Sequence, residues 1–218
     1  MILIDKVYKI GRMTENDLSS DDVWEKVKSA EVDCYPWDKN GYKPKTEVRV
    51  VYSEKGFHIL MTSYETKIMG TRENFNDPVC RDSCMEFFFM PDPGNDKRYL
   101  NFELNPLGTL YLGFGRNRFE RAKIADVIPE LFNISHSVTK ESINDFSGPS
   151  WSVQYFIPFS FINRFCGNLD FKTGMKMVGN FYKCAEDTEL PHFGSWNIVR
   201  SETPDFHRPE CFGSLILE

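Results

Sequence analysis

Apolar and polar residues alternate with a period of two through most of this chain, and this alternation restricts its fold more than any other feature. The period is that of a β-strand, in which successive side chains point to opposite faces of a sheet. Segments rich in Gly, Pro, Asn and Asp separate the alternating runs and favour turns. The predicted strands cover residues 47–53, 57–63, 85–90, 99–105, 109–115, 134–139, 151–157, 175–182 and 212–217.

Many short strands joined by turns are typical of an all-β protein, and no alternation of strands with helices supports a Rossmann fold. We therefore expect a two-sheet antiparallel β-sandwich with one or two short helices. A helix is predicted over residues 18–30, capped by Ser20 or Asp21, and a helical turn over residues 158–163. Because no linker, low-complexity tract or repeat is present, residues 1–218 are predicted to form a single domain.

Composition argues against several classes of protein. Hydrophobic residues make up 41% of the 218 residues and charged residues 27%, which are ordinary values for a globular protein. The net charge of −6 provides no basic excess to neutralise phosphates, so we expect no nucleic-acid partner. The apolar stretches are strand-sized, so we expect no membrane partner. Charges follow Met1 too closely for a secretory signal, which predicts a cytoplasmic protein, or a secreted one if this is a mature form.

The cysteines are scattered and form no recognisable framework. No C-x-x-C motif is present, and no His or second Cys pair lies near Cys80 and Cys84 to complete a zinc site. We expect reduced, mostly buried thiols, and the sequence names no set of metal ligands. The six positions are Cys34, Cys80, Cys84, Cys166, Cys184 and Cys211.

The predicted strand at residues 99–105 separates its side chains into two chemically different faces. One face is apolar and suits a core, with Leu100, Phe102 and Leu104. The other face combines a ring, two amides and a carboxylate, at Tyr99, Asn101, Glu103 and Asn105. Carboxylates and amides exchange hydrogen bonds with hydroxyl groups, so this face suits a sugar. The alternative is the solvated outer face that any sandwich has.

Glu86 is the single charge in the apolar run at residues 85–90. A carboxylate in such a strand is costly unless it is paired, hydrogen-bonded or solvated. A functional role explains its presence, and an ion pair with Arg81 or Arg49 explains it equally well.

The least regular stretch covers residues 184–211, and long loops on a rigid scaffold often carry function. Trp196 lies there among Gly, Ser and Asn, which predicts a partly exposed indole that can act as a platform for a sugar ring. The alternative is a tryptophan that fixes the loop to the sandwich. His192 and His207 lie in the same stretch without a motif, and we expect exposed loop histidines. Trp24 and Trp151 are predicted to be core residues.

Four segments together resemble family 9 carbohydrate-binding modules and their DOMON-like relatives. The string R-D-S-C-M-E-F-F-F at residues 81–89 resembles the family's acid-bearing strand, and residues 99–108 resemble the strand that follows it. Residues 151–158, W-S-V-Q-Y-F-I-P, are similar to a third strand, and residues 206–217 to the closing one. The similarity extends from about Trp24 to the C-terminus.

The resemblance implies a jelly-roll or DOMON-like sandwich that binds saccharides without catalysis, with the sugar clamped between two tryptophan rings. By position, Glu86 matches the family's strand acid and Trp196 its second tryptophan. The family's first tryptophan is replaced by residues 78–80, with Phe75 the nearest ring, and its arginine on the neighbouring strand by Glu103. The resemblance also implies structural calcium, for which the sequence names no ligands, and a glycoside hydrolase as partner.

These observations predict non-catalytic carbohydrate binding, with a saccharide as the ligand. Trp196 is expected to stack on the sugar and three polar side chains to bind its hydroxyls, with two further candidates: Glu86, Asn101 and Glu103, then Arg81 and Asn180. Two alternatives stay open. One is a glycosidase or accessory subunit that uses Glu86 and Glu103 as its acids. The other is an interaction or sensor domain that has lost the sugar site.

Overall fold

The structure is a computed structural model that describes residues 6–20, 22–65 and 67–218. The expectations placed on residues 1–5 and on Asp21 as a helix cap lie outside the described residues. Within them the α-helices are α1 Glu15–Leu18 and α2 Phe159–Cys166, and the strands are β1 Val7–Arg12, β2 Ala30–Glu31, β3 Thr46–Tyr52, β4 Gly56–Ser63, β5 Ser83–Met90, β6 Tyr99–Leu104, β7 Leu110–Gly115, β8 Arg121–Lys123, β9 Ser135–His136, β10 Trp151–Pro158, β11 Lys176–Ala185, β12 His192–Ser195 and β13 Gly213–Leu217.

The strands form two sheets that share β1. Sheet 1 has the order β8-β7-β6-β5-β11-β13-β1, with β12 beside β11. Sheet 2 has the order β1-β3-β4-β10-β9, with β2 beside β3. Strand β1 pairs with β13 through its first residues and with β3 through Gly11 and Arg12, and both pairings are parallel. The predicted all-β sandwich is confirmed, and its antiparallel pattern holds in every other strand pair of the described chain.

The main core lies between the two sheets. Phe57 of β4 contacts Phe89 of β5 with ring centroids 6.1 Å apart, and Phe102 of β6 stacks on Tyr155 of β10 at 5.9 Å. Leu100, Phe102 and Leu104 are buried in this core, as the alternation of β6 predicted. Trp151, also predicted to be a core residue, is fully buried.

The predicted helix at residues 18–30 is wrong. The chain instead forms the single turn α1, whose cap is Thr14, and a 3-10 turn at Val23–Lys26. Ala30 already belongs to β2 and pairs with Val48, so the end of the segment is a strand and not a helix. Trp24 is half-buried and donates its Nε1 hydrogen to Gln154, so it is not the core residue that the sequence suggested. None of the helices in the described residues has the length and apolar character needed to cross a membrane.

A second apolar cluster covers the outer face of sheet 1. It combines strand residues such as Phe88, Tyr99 and Tyr182 with Phe206 and Phe212 from the last third of the chain. Tyr182 and Phe206 stack with centroids 4.1 Å apart. The segment before β13 therefore folds over a face that would otherwise meet solvent, and it leaves part of that face open as a cleft.

Candidate functional site

The register of sheet 1 aligns the two glutamates of the predicted site with a tyrosine. Glu86 of β5 pairs with Glu103 of β6, and Glu103 pairs with Tyr111 of β7. Directly opposed residues on neighbouring strands share one face of the sheet. The three side chains therefore form a row on the outer face, on the side opposite the main core.

This row forms part of the lining of a cleft of about 270 Å³ beside the second apolar cluster. Loops on both sides of the sheet complete it, because the β7–β8 hairpin and the segment after β12 reach over the outer face. The side chains that matter most for its chemistry are Glu86, Glu103, Tyr111, Arg121, Phe193 and His207.

The two glutamates are buried, with exposed fractions of 2% for Glu86 and 5% for Glu103. Burial raises the pKa of Glu86 well above its usual range, and the neighbouring charge of Glu103 raises it further. Burial also raises the pKa of Glu103, to about 7, although Arg121 lies 3.3 Å from its Oε1 and opposes the shift. A protonated carboxyl both donates and accepts hydrogen bonds, so the two glutamates, which form the floor of the cleft, can bind a hydroxyl group as donors or as acceptors.

Basic side chains and rings form the walls of the cleft. The guanidinium of Arg121 and the ammonium of Lys123 lie 5.2 and 5.3 Å from the centre of the Tyr111 ring. Such contacts hold the tyrosine ring in place. In the same β7–β8 hairpin, Arg118 is paired with Asp205 at 2.9 Å. The positive groups nearest the cleft thus already have partners.

His207 is a neutral member of the cleft. Its Nδ1 lies 2.8 Å from the Tyr99 hydroxyl, and its ring stacks on Phe88 at 5.0 Å. Burial lowers the pKa of His207 to about 2, and the charges of Arg121 and Arg118 act in the same direction. The expectation of an exposed loop histidine is therefore wrong for His207. It is wrong for His192 as well, which is 5% exposed.

The remaining predicted site residues lie outside the cleft. Asn101 is fully buried beside Glu103 on the same face of β6 and donates its amide to that carboxylate over 2.8 Å, so it supports it. Asn180 is also fully buried; it donates to the Asn197 carbonyl and accepts from two backbone N–H groups. Arg81 is exposed beside β5, and Glu86 takes its hydrogen bond from the Cys184 thiol rather than from an arginine.

The predicted exposure of Trp196 is wrong. Its indole is 4% exposed and belongs to the main core. Its ring centre lies 5.6 Å from that of Phe181 and 6.4 Å from that of Tyr8. The flanking glycine, serine and asparagine indicated an open loop, but Ser195 ends β12 and sheet pairing turns the indole inward. The tryptophan fixes the segment to the sandwich, which was the alternative interpretation.

Sequence reasoning missed the rings and the arginine that border the cleft. Tyr111 carried a usable signal, because it alternates with Leu110 and Leu112 as Glu103 alternates with its own apolar neighbours. Arg121 and Phe193 carried none, since β8 and β12 were not predicted and only the folded sheet brings them to the glutamates.

The donor groups of the described residues do not provide the oxygen ligands that the implied calcium ion needs. Among His, Cys, Asp and Glu side chains of the described ranges, one group of three lies close enough to share an ion, namely Cys84, Glu86 and Cys184. Calcium prefers six to eight oxygen ligands, so a group with two sulfurs does not suit it. Calcium binding stays a prediction without a ligand set.

The two-sheet sandwich thus carries a small cleft on its outer face, with acids on its floor and rings on its walls. The profile of carbohydrate-binding family 9 matches residues 19–217. The chain belongs to this family. Among curated proteins, no sequence matches the chain.

Solved structures share the fold. A protein from Bacteroides uniformis ATCC 8492, to which carbohydrate binding is ascribed, superimposes with a TM-score of 0.82 at 24% identity over 98% of this chain and 100% of its own. A family 9 module from Caldicellulosiruptor kristjanssonii in complex with cellotriose gives 0.65 at 13% identity, over 98% and 94%. The structure of a family 9 module from the same organism with glucose gives 0.66 at 12%, over 98% and 96%.

Proposed function

We propose that the cleft beside β5, β6 and β7 binds the end of a saccharide chain. The observation that supports this most directly is the aligned row of Glu86, Glu103 and Tyr111 within a family 9 sandwich. The two carboxyl groups bind neighbouring hydroxyls, and the raised pKa of each lets it donate as well as accept.

The size of the cleft supports a chain end rather than the middle of a long polymer. Its volume of about 270 Å³ lies just below the roughly 300–1,000 Å³ of typical small-ligand pockets. A cleft of this size suits one sugar ring better than several. A second ring would lie at the opening, where Arg118 of the β7–β8 hairpin stands.

The ring platforms in this proposal are Tyr111 and Phe193, in place of Trp196. Both are half-buried and line the cleft from opposite sides of the glutamates. Each hydroxyl leaves water to bind, so the net gain per hydrogen bond is small and the affinity is modest.

Binding without hydrolysis fits the arrangement of the acids better than catalysis does. Glu86 and Glu103 are directly opposed on neighbouring strands and rise from one floor. A glycosidase needs its two carboxyl groups on either side of the scissile bond. Acids that approach a sugar from one side can hold it but cannot flank that bond.

The experiment is a calorimetric titration with glucose and cellotriose, followed by a screen of other glycans. Glu103→Gln removes a charge-bearing acceptor and is expected to weaken binding by about 1–2 kcal/mol, or roughly 5- to 30-fold. Tyr111→Ala removes a platform and is expected to cost a similar amount. Product analysis on cellotriose is expected to detect no cleavage.

The controls are matched residues of sheet 2 and its edge. Glu47→Gln changes a buried carboxylate that pairs with Arg49 at 3.2 Å, and Tyr64→Ala changes a partly exposed ring far from the cleft. Both are expected to bind like wild type. Equal losses in the controls and the cleft variants, or no binding to any glycan, would contradict the proposal and favour an interaction domain.

A further inference from the structure

Two thiols lie next to the buried carboxyl of Glu86, and one of them lines the cleft. Cys84 of β5 and Cys184 of β11 are directly opposed in the sheet, and Glu86 lies two residues further along β5 on the same face. The Cys184 thiol donates to Glu86 Oε1 over 3.1 Å. The two sulfurs and a carboxyl oxygen all lie within 4.8 Å of one another.

Two sulfurs and one oxygen form a donor set with a clear preference among metal ions. Thiolates select soft or borderline cations such as Zn²⁺, whereas Ca²⁺ and Mg²⁺ need oxygen ligands. Two thiolates on one tetrahedral zinc, with Zn–S bonds of about 2.3 Å, lie about 3.8 Å apart. Side-chain shifts of roughly an ångström would therefore bring the two sulfurs and the carboxyl oxygen to bonding distance from one zinc ion.

The surroundings suit an ion that keeps one position open. Cys184 and Glu86 line the cleft, whereas Cys84 does not and is fully buried. Three protein ligands and an accessible fourth position are typical of zinc sites that also bind water or a ligand.

We propose that Cys84, Cys184 and Glu86 bind one thiophilic divalent cation of the Zn²⁺ class, with its fourth position open to the cleft. On binding, the metal replaces the two thiol protons and the carboxyl proton of Glu86, all of which pass to solvent, and no electrons are transferred. The site does not rest on the proposed sugar function, because metal binding is measured in the absence of saccharide.

The test uses the full chain after treatment with a chelator and a reductant. Titration with Zn²⁺ is expected to give one site per chain, and Co²⁺ to give the absorption of a tetrahedral thiolate complex. Cys84→Ser, Cys184→Ser and Glu86→Gln are each expected to weaken Zn²⁺ binding by at least about 10-fold, the lower limit for losing even an outer-shell partner. Cys166→Ser on α2 is the matched control and is expected to bind like wild type.

The Co²⁺ spectrum of the wild-type protein needs no variant, so a serine variant that fails to fold leaves the test intact. Absence of thiolate-to-cobalt bands would overturn the proposal. So would Zn²⁺ affinity that is unchanged in folded Cys84→Ser and Cys184→Ser proteins, or a wild-type protein in which these two cysteines resist reduction as a disulfide. Metal binding without sugar binding would support the metal site and refute only the proposed function.

Discussion

Replacing Trp196 by alanine is expected to destabilise the fold rather than to remove a sugar platform. The indole is 4% exposed and packs against Phe181 and Tyr8. It also fills the space above Gly213, where an added Cβ would come within 2.5 Å of the ring. Truncating a buried tryptophan typically costs about 3–5 kcal/mol through lost burial and the cavity that remains. For a chain of this length, that corresponds to a fall in Tm of roughly 6–20 °C.

Urea denaturation followed by far-UV circular dichroism measures this loss, because the signal does not depend on the tryptophan that is removed. Trp24→Ala is the matched control; its indole is half-buried with one hydrogen bond to Gln154, so we expect a loss of about 1 kcal/mol. Where folded Trp196→Ala protein can be isolated, its saccharide affinity should stay within about 3-fold of wild type, a change of less than about 1 kcal/mol. A loss below about 1 kcal/mol together with abolished binding would refute the inward orientation of the ring.

Three further predictions concern buried groups. Lys183→Met strands the carboxylate of Glu65, its ion-pair partner at 3.0 Å, and is expected to cost about 3–5 kcal/mol in urea denaturation. A second change, Glu65→Gln, removes the stranded charge and keeps an acceptor for the Trp151 Nε1 hydrogen, so it should restore most of the loss; a double variant no more stable than Lys183→Met would contradict this. Gly115→Ala brings a Cβ within 2.2 Å of the Glu120 carbonyl, so a loss of about 1–3 kcal/mol is expected, and an unchanged urea midpoint would be inconsistent with the packed hairpin. Burial lowers the pKa of His207 to about 2 in the folded protein, whereas a histidine in the unfolded chain takes up a proton near pH 6.5, so stability is lost as the pH falls below about 6.5. Between pH 8 and 5 the free energy of unfolding of wild type should fall by about 2 kcal/mol more than that of His207→Gln. Equal falls in the two proteins would disprove the burial effect.

The sequence was informative where neighbouring residues decide the structure. The hairpin between β3 and β4 and the strands β5, β6 and β10 follow from alternation and turn residues close by in the chain. Strand β1 was missed because its pairings are parallel and one partner, β13, lies at the other end of the chain. The end of the helix predicted over residues 18–30 failed for a related reason, since Ala30 pairs with Val48 of β3.

In the candidate site, too, the residues found from the sequence are those whose local pattern is informative. Glu86 and Glu103 could be found because a charge within an apolar strand is conspicuous and both lie on predicted strands. Trp196 was misjudged because its burial depends on Phe181 and other residues distant in sequence. Cys184 joined Cys84 only through the register of β5 with β11, which the sequence does not encode in any local motif.

The central claim is that a saccharide binds on the row formed by Glu86, Glu103 and Tyr111. A crystal structure of the protein soaked with the best ligand from the glycan screen tests it most directly. We predict density for a sugar ring in the cleft, with hydroxyl oxygens within hydrogen-bond distance of both carboxyl groups and the ring against Tyr111 or Phe193. Density for the sugar on another face of the sandwich, with the cleft filled only by water, would contradict the account.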